Sequence, residues 1–317
     1  MTRALVFPGQ GSQAVGMGRA LAEAFPSARA VFEEVDEALG EKLSALIFEG
    51  PMETLTLTAN AQPALMATSL AALRALEAQA GFAIARDAAY VAGHSLGEYS
   101  ALAAAGAISI ADTARLLRIR GEAMQDAVPV GTGAMAALIG VEREDAAAIA
   151  AEAAEGDVCD VANDNGGGQV VVSGAKAAVE RAIAIAQARG VKRAVLLPVS
   201  APFHCALMAP AAEAMRAALA QVSVRAPAVP VIANVTAGPI VDPDAIRARL
   251  VEQVTGTVRW RESVAAMADL GVTAMVEVGA GKVLCGLIRR IAPGVATRAV
   301  GTPEDVAAFA ADEGKGA

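Results

Sequence analysis

Val91-Ala92-Gly93-His94-Ser95-Leu96-Gly97-Glu98-Tyr99-Ser100 is the stretch around which this chain is organised. Glycines two positions to either side of Ser95 give the pattern G-x-S-x-G. That spacing suits a nucleophile elbow, a strained strand-to-helix turn that exposes a serine hydroxyl. Side chains at either glycine would collide with the neighbouring strand or hold the helix away. The pattern needs a strand before it and a helix after it. Ala88-Ala89-Tyr90-Val91-Ala92 is an apolar run of strand length, and residues 99–105 are strong helix formers that end at Gly106. Taken alone, a chance match in an Ala/Gly-rich chain stays open.

The 317 residues suggest two domains, or one large domain carrying an insertion. With 55% hydrophobic residues, the chain can bury a large core of Ala, Val, Leu and Ile. A net charge of −8, without blocks of like charge, argues against nonspecific nucleic-acid binding. Cys159, Cys205 and Cys285 lie far apart without a C-x-x-C pair, so free thiols in a reducing compartment are expected. Only two histidines, His94 and His204, are present, which argues against a His/Cys zinc site; no metal is expected. The N-terminus lacks a signal-peptide layout. No apolar run reaches the roughly 18 residues of a membrane span. The expectation is a cytoplasmic protein that makes no contact with membrane.

Outward from the elbow, the pattern is mainly α/β. Ala4-Leu5-Val6-Phe7 reads as a buried strand, followed by the turn Pro8-Gly9-Gln10-Gly11-Ser12-Gln13 and helices over 17–24 and 28–39. Gly9-x-Gly11-x-x-Ala14 partly matches a dinucleotide fingerprint, but the acidic residues that follow, Glu33 and Glu34, fall in a helical pattern rather than at the end of a second strand. The other reading is a loop that aims backbone N–H groups at a neighbouring site. Helices follow over 61–78 and 110–127.

From 129 to 198 the rhythm changes to strand 133–139, helix 144–155, strands 158–162 and 169–173, helix 176–188 and strand 192–197. That order is βαββαβ, the ferredoxin-like unit, and it reads as an insert between 1–128 and 199–317. Downstream come helix 208–220, strand 229–234, helices 244–254 and 260–270, strand 274–278, a helix to 291, strand 298–300 and helix 304–311. Gly281-Lys282 is not a P-loop, because the spacer is missing and Val283 stands where Ser or Thr would bind magnesium. Residues 312–317 are expected to fray.

A serine hydroxyl needs an adjacent base to act as a nucleophile. His94 directly precedes Ser95, so its side chain leaves the opposite face, and it suits packing or support better. His204 lies in a loop before a helix, where a catalytic histidine is common, although an incidental surface group stays open. No histidine follows position 204, so a lipase-like Ser–acid–His order fits poorly and a Ser–His dyad fits better. Arg120 falls on the apolar stripe of its helix, between Leu116, Leu117 and Met124. It needs an anionic partner there, a ligand or an internal ion pair, unless it snorkels to water.

These residues, with Phe7-Pro8-Gly9-Gln10-Gly11-Ser12-Gln13, Arg120-Gly121, Gly131-Thr132-Gly133-Ala134-Met135, Asn234-Val235-Thr236, Glu277-Val278-Gly279 and Gly281-Lys282-Val283-Leu284, occur in one order along nearly the whole chain. In them the chain resembles the malonyl-CoA:acyl carrier protein transacylases, the acyltransferases of fatty-acid and polyketide synthesis. The resemblance implies an α/β-hydrolase-like core with a mainly parallel sheet and a ferredoxin-like insert. It implies Ser95 as the acylated nucleophile and His204 as its base. The backbone N–H groups of Gln10 and Leu96 would form the oxyanion hole, and Arg120 would grip the malonyl carboxylate. The main-chain carbonyl of Gln253 would orient His204. Asn163 and His94 would lie near the pocket. Phe203, where the family usually has a small residue, would disfavour an α-methyl group and so favour malonyl over methylmalonyl. The resemblance also implies malonyl-CoA and acyl carrier protein as partners, no cofactor, and a chain working as a monomer. Arg189, Lys192 and Arg193, or Arg289 and Arg290, are candidate contacts for the acidic carrier. A thioesterase or esterase of related fold, an acyltransferase using another acyl-CoA, and a nucleotide-binding module built on the Gly9 loop are the alternatives.

Overall fold

A computed structural model of the chain describes residues 2–313. In chain order its strands are β1 (Arg3–Phe7), β2 (Tyr90–Gly93), β3 (Gly133–Ile139), β4 (Cys159–Asp164), β5 (Gln169–Ala175), β6 (Arg193–Leu196), β7 (Val231–Ile232), β8 (Pro239–Ile240), β9 (Ala274–Val278) and β10 (Ala296–Val300). Continuous apolar runs such as Ala4-Leu5-Val6-Phe7 suit strands covered on both faces. Accordingly β1 lies inside a six-stranded sheet ordered β10-β9-β1-β2-β7-β8, flanked by β9 and β2 and parallel to both. The whole sheet is parallel except β8, which returns antiparallel along β7.

The register Phe7↔Gly93 ends β1 and β2 side by side. The Gly9 loop and the serine turn therefore emerge together at the carboxyl edge of the sheet, where open α/β sheets bind ligands. Two glycines make this approach feasible. A Cβ on Gly93 would stand 1.9 Å from the Gly97 carbonyl, and one on Gly97 would stand 2.3 Å from the Phe7 oxygen. Gly9 packs on the same turn, since a Cβ there would meet the His94 carbonyl at 2.7 Å.

Strands β3 to β6 form a separate antiparallel sheet of order β4-β5-β3-β6, with helices Arg143–Ala154 and Lys176–Ala188 packed on it. The order of these elements along the chain is βαββαβ. Backbone bonds between Val258 and residues 162 and 164, together with an Arg261–Asp164 ion pair at 2.8 Å, fasten this sheet to the start of helix Trp260–Asp269.

The structure departs from the expected elements at several points. Helices Leu43–Glu49 and Met52–Thr56 lie between the expected elements, each too short to show a full amphipathic period. Strand 229–234 contracts to Val231–Ile232, and β8 escapes notice because two residues carry no alternation. The long helix Thr58–Ala80 contains Pro63. Proline frees the carbonyl four residues earlier, and that Ala59 oxygen accepts from Arg118 at 2.8 Å instead. Finally, the last helix runs to Glu313 rather than fraying from 312, since Arg298 pairs with Asp312 and Arg3 with Glu313. The rest of that expectation, 314–317, lies outside the described residues.

The glycine turn over 279–282 opens a helix, Val283–Ile291, but cannot serve a phosphate as a P-loop does. Its N–H groups at Leu284 and Cys285 already donate to the buried Glu277 carboxylate, at 3.1 and 2.7 Å. No helix among the described residues is long and apolar enough to cross a membrane.

Candidate active site

Ser95 follows β2 with φ 54 and ψ −111, a conformation that costs a non-glycine residue energy and marks a turn held by its surroundings. Asn234, just beyond β7, holds it. Its Oδ1 accepts from the Ser95 N–H at 2.8 Å, and its Nδ2 donates to the Gly93 carbonyl at 2.7 Å. His204 also has positive φ, 58, in the loop before helix Ala209–Leu219.

The two side chains meet. Ser95 Oγ lies 2.8 Å from His204 Nε2, and His204 Nδ1 lies 2.9 Å from the Gln253 carbonyl. A carbonyl only accepts, so Nδ1 carries the proton and Nε2 is left to accept from the serine hydroxyl. This is the tautomer a general base needs. Burial, reinforced by the nearby Arg120 charge, holds the His204 imidazole down at about 3.

Arg120 comes from helix Ile110–Asp126, which is capped by Ser109. The helix packs closely on Thr58–Ala80 because residue 121 is glycine; a Cβ there would stand 2.5 Å from the Ala59 Cα. The guanidinium is 2% exposed, yet it has acceptors: Gln62 Oε1 at 2.6 Å, Gln253 Oε1 at 2.8 Å and Ser95 Oγ at 3.1 Å. The Tyr99 ring lies 5.6 Å from its central carbon. Among the described residues no carboxylate is bonded to it directly. The internal ion pair allowed by the sequence is therefore not formed, and the guanidinium faces the serine instead.

A cavity of about 400 Å³ is lined by Ser95, His204, Arg120, Gln10, Leu96 and Phe203, with His94 and Asn163 also on its wall. Of the catalytic and pocket residues that the resemblance implies, Gln253 stands behind the wall rather than in it. Neither the Gln10 nor the Leu96 N–H donates to another described residue. His94 is turned away from the serine, as its place beside Ser95 demands, and its Nε2 bonds Asn165 Oδ1 at 2.8 Å.

The acyl transferase domain model matches residues 4–296. The chain belongs to the acyl transferase family. This acyl transferase is 49% identical over 305 residues to a malonyl CoA-acyl carrier protein transacylase of Escherichia coli strain K12, covering 96% of this chain and 97% of that one. A crystal structure of an acyl-carrier-protein S-malonyltransferase from Bartonella henselae superposes with a TM-score of 0.96 at 58% identity, covering 99% of this chain and all of the other. A malonyl-transacylase solved in complex with its type II polyketide acyl-carrier protein superposes with a TM-score of 0.94 at 42% identity, covering 98% of this chain and 100% of that one.

Several site residues of this acyl transferase escape sequence reasoning. Gln62 bonds Arg120 and, through Nε2, Thr58 Oγ1 at 2.9 Å; Thr58 in turn donates to Gln10 Oε1 at 3.1 Å. This relay ties the Gly9 loop to the guanidinium. Gln62 gives no signal in an Ala/Leu helix beyond being polar where its neighbours are apolar. The candidate carrier contacts divide. Arg189 is ion-paired with Glu152, and Arg289 bonds Thr297 at 2.8 Å. Arg290 lines a second cavity of about 400 Å³ that shares Gln10 and His94 with the first.

Burial also lowers His94, and His204 stays neutral where a free imidazole would charge. Between about 3 and the ordinary 6.5 the unfolded chain binds more protons at position 204 than the native one. The contribution of His204 to stability is therefore fully present above 6.5 and is lost as pH falls toward 3. The His204 imidazole resonances of the native protein should stay those of the neutral ring from pH 8 down to about 5. A titration midpoint near 6.5 in an NMR pH series would contradict this arrangement.

Proposed function

We propose that this acyl transferase moves a malonyl group from malonyl-CoA to the pantetheine thiol of acyl carrier protein, through a malonyl-serine intermediate. One observation carries the reading: a serine hydroxyl on a strained turn, 2.8 Å from a neutral imidazole, with a buried guanidinium 3.1 Å from the same oxygen. The names of the similar proteins support it.

Ser95 attacks the thioester carbonyl as His204 Nε2 takes its proton. The N–H groups of Gln10 and Leu96, which donate to no other described residue, meet the oxyanion; such a donor contributes about 3–4 kcal/mol. The imidazolium, steadied by the Gln253 carbonyl, protonates the departing CoA thiolate. The carrier thiol then enters, His204 takes its proton, and the steps run in reverse. Arg120 holds the malonyl carboxylate through a charge-assisted contact. Phe203, on the cavity wall, crowds the α-carbon; a methyl-sized difference decides about 1–3 kcal/mol. The enzyme works as a monomer in the cytoplasm, which suits its three buried, free cysteines. Arg290, beside the His94 wall, is the better placed of the two candidate basic clusters to receive an acidic carrier.

Intact-mass measurement after exposure to malonyl-, methylmalonyl- and acetyl-CoA tests the reading. A single malonyl adduct is expected in preference to the others, and it should pass to added carrier protein faster than water removes it. Rapid hydrolysis with the carrier ignored would instead favour a thioesterase.

A further inference from the structure

Glu98 is one turn into the helix that follows the nucleophile, and the transfer chemistry above gives it no task. Its side chain is 1% exposed. The charged and titratable groups facing it are Arg120 and Tyr99. A single carboxylate oxygen, Oε2, accepts twice: from Gln253 Nε2 at 2.7 Å and from the Asn234 N–H at 3.1 Å. Oε1 is buried without a partner among the described residues. Burial pushes this carboxyl up to about 7, so holding it here costs stability.

The two residues that Glu98 holds are those that hold the site. Gln253 supplies the carbonyl for His204 and, by Oε1, an acceptor for Arg120; Asn234 holds the Ser95 N–H. A glutamine amide has two ends, and only one orientation works here. With Nε2 facing Glu98 and the Ser95 carbonyl, at 2.7 and 3.0 Å, every contact joins a donor to an acceptor. Flipped, the amide would set N–H against guanidinium N–H and oxygen against oxygen.

We propose that Glu98 is a positioning residue for malonyl selectivity: its Oε2 locks the Gln253 amide in the orientation that presents Oε1 to Arg120, and so aims the guanidinium at the acyl carboxylate. This rests on the malonyl-transfer reading given above. The device acts by reach rather than by charge. A glutamine oxygen can take the place of Oε2, whereas an aspartate is one methylene too short.

The test compares kcat/KM for malonyl-CoA and acetyl-CoA in the native enzyme, Glu98→Gln and Glu98→Asp. Both replacements keep a polar group of similar size, and folding is checked by circular dichroism. The malonyl-to-acetyl ratio should survive Glu98→Gln within about 3-fold and fall roughly 10- to 100-fold in Glu98→Asp, mainly through the malonyl KM. A ratio unchanged in Glu98→Asp, or equal losses on both substrates in either variant, would overturn the proposal, because a merely structural carboxylate moves both alike. Absence of malonyl preference in the native enzyme would instead overturn the functional reading on which it rests.

Discussion

Ser95→Ala should leave a folded protein that no longer gains mass when mixed with malonyl-CoA. The loss in turnover should be about 10⁴-fold or more, because nucleophile and base act as a unit and neither retains much value without the other. What persists is binding and oxyanion stabilisation, which cannot substitute for the covalent step. The fold should tolerate the change. The turn is held by the Ser95 backbone N–H to Asn234 at 2.8 Å and by the Gln253 side chain to the Ser95 carbonyl, neither of which uses the hydroxyl. Circular dichroism separates loss of chemistry from loss of structure. An adduct that survives the substitution would put the nucleophile elsewhere.

Arg120→Ala should lower kcat/KM for malonyl-CoA by roughly 10⁴-fold while acetyl transfer changes far less, so that selectivity collapses. A site built around a charged contact rejects a substrate lacking the charge because the buried guanidinium is then left without a counter-charge. Here the penalty is sharpened by depth. Burial opposes the Arg120 charge, and the nearby Tyr99 and Glu98 only partly sustain it. Alanine also strands the Gln62 and Gln253 oxygens, so part of the loss will be structural. Arg120→Lys separates the effects: it keeps the charge and loses the planar fork, and should recover only part of the malonyl rate. Full malonyl preference in the alanine variant would mean that another group grips the carboxylate.

The elbow was legible because its requirements are local. Two glycines, a strand-length run and a helix former within twenty residues define a backbone path that few other sequences need. The insert was legible for a similar reason, since six alternating elements in βαββαβ order suffice to name it. Helices Leu43–Glu49 and Met52–Thr56 were not, because a single turn or two presents no period. Arg120 shows where pattern reaches its limit. Its place on an apolar stripe declared that a partner was needed, but an internal carboxylate and an external ligand satisfied the pattern equally.

Which of these holds depends on residues remote in the chain. Gln62 and Gln253 stand 58 and 133 positions from Arg120, and Asn234 stands 139 from the serine turn it braces. Each is an ordinary polar residue in its own segment and acquires meaning only when the sheet order brings its segment alongside. Residue spacing and glycine placement thus specify where the chain must bend and where a nucleophile can stand exposed. Long-range packing specifies which donors and acceptors face it, because hydrogen-bond geometry is a property of distances in space that local periodicity does not encode.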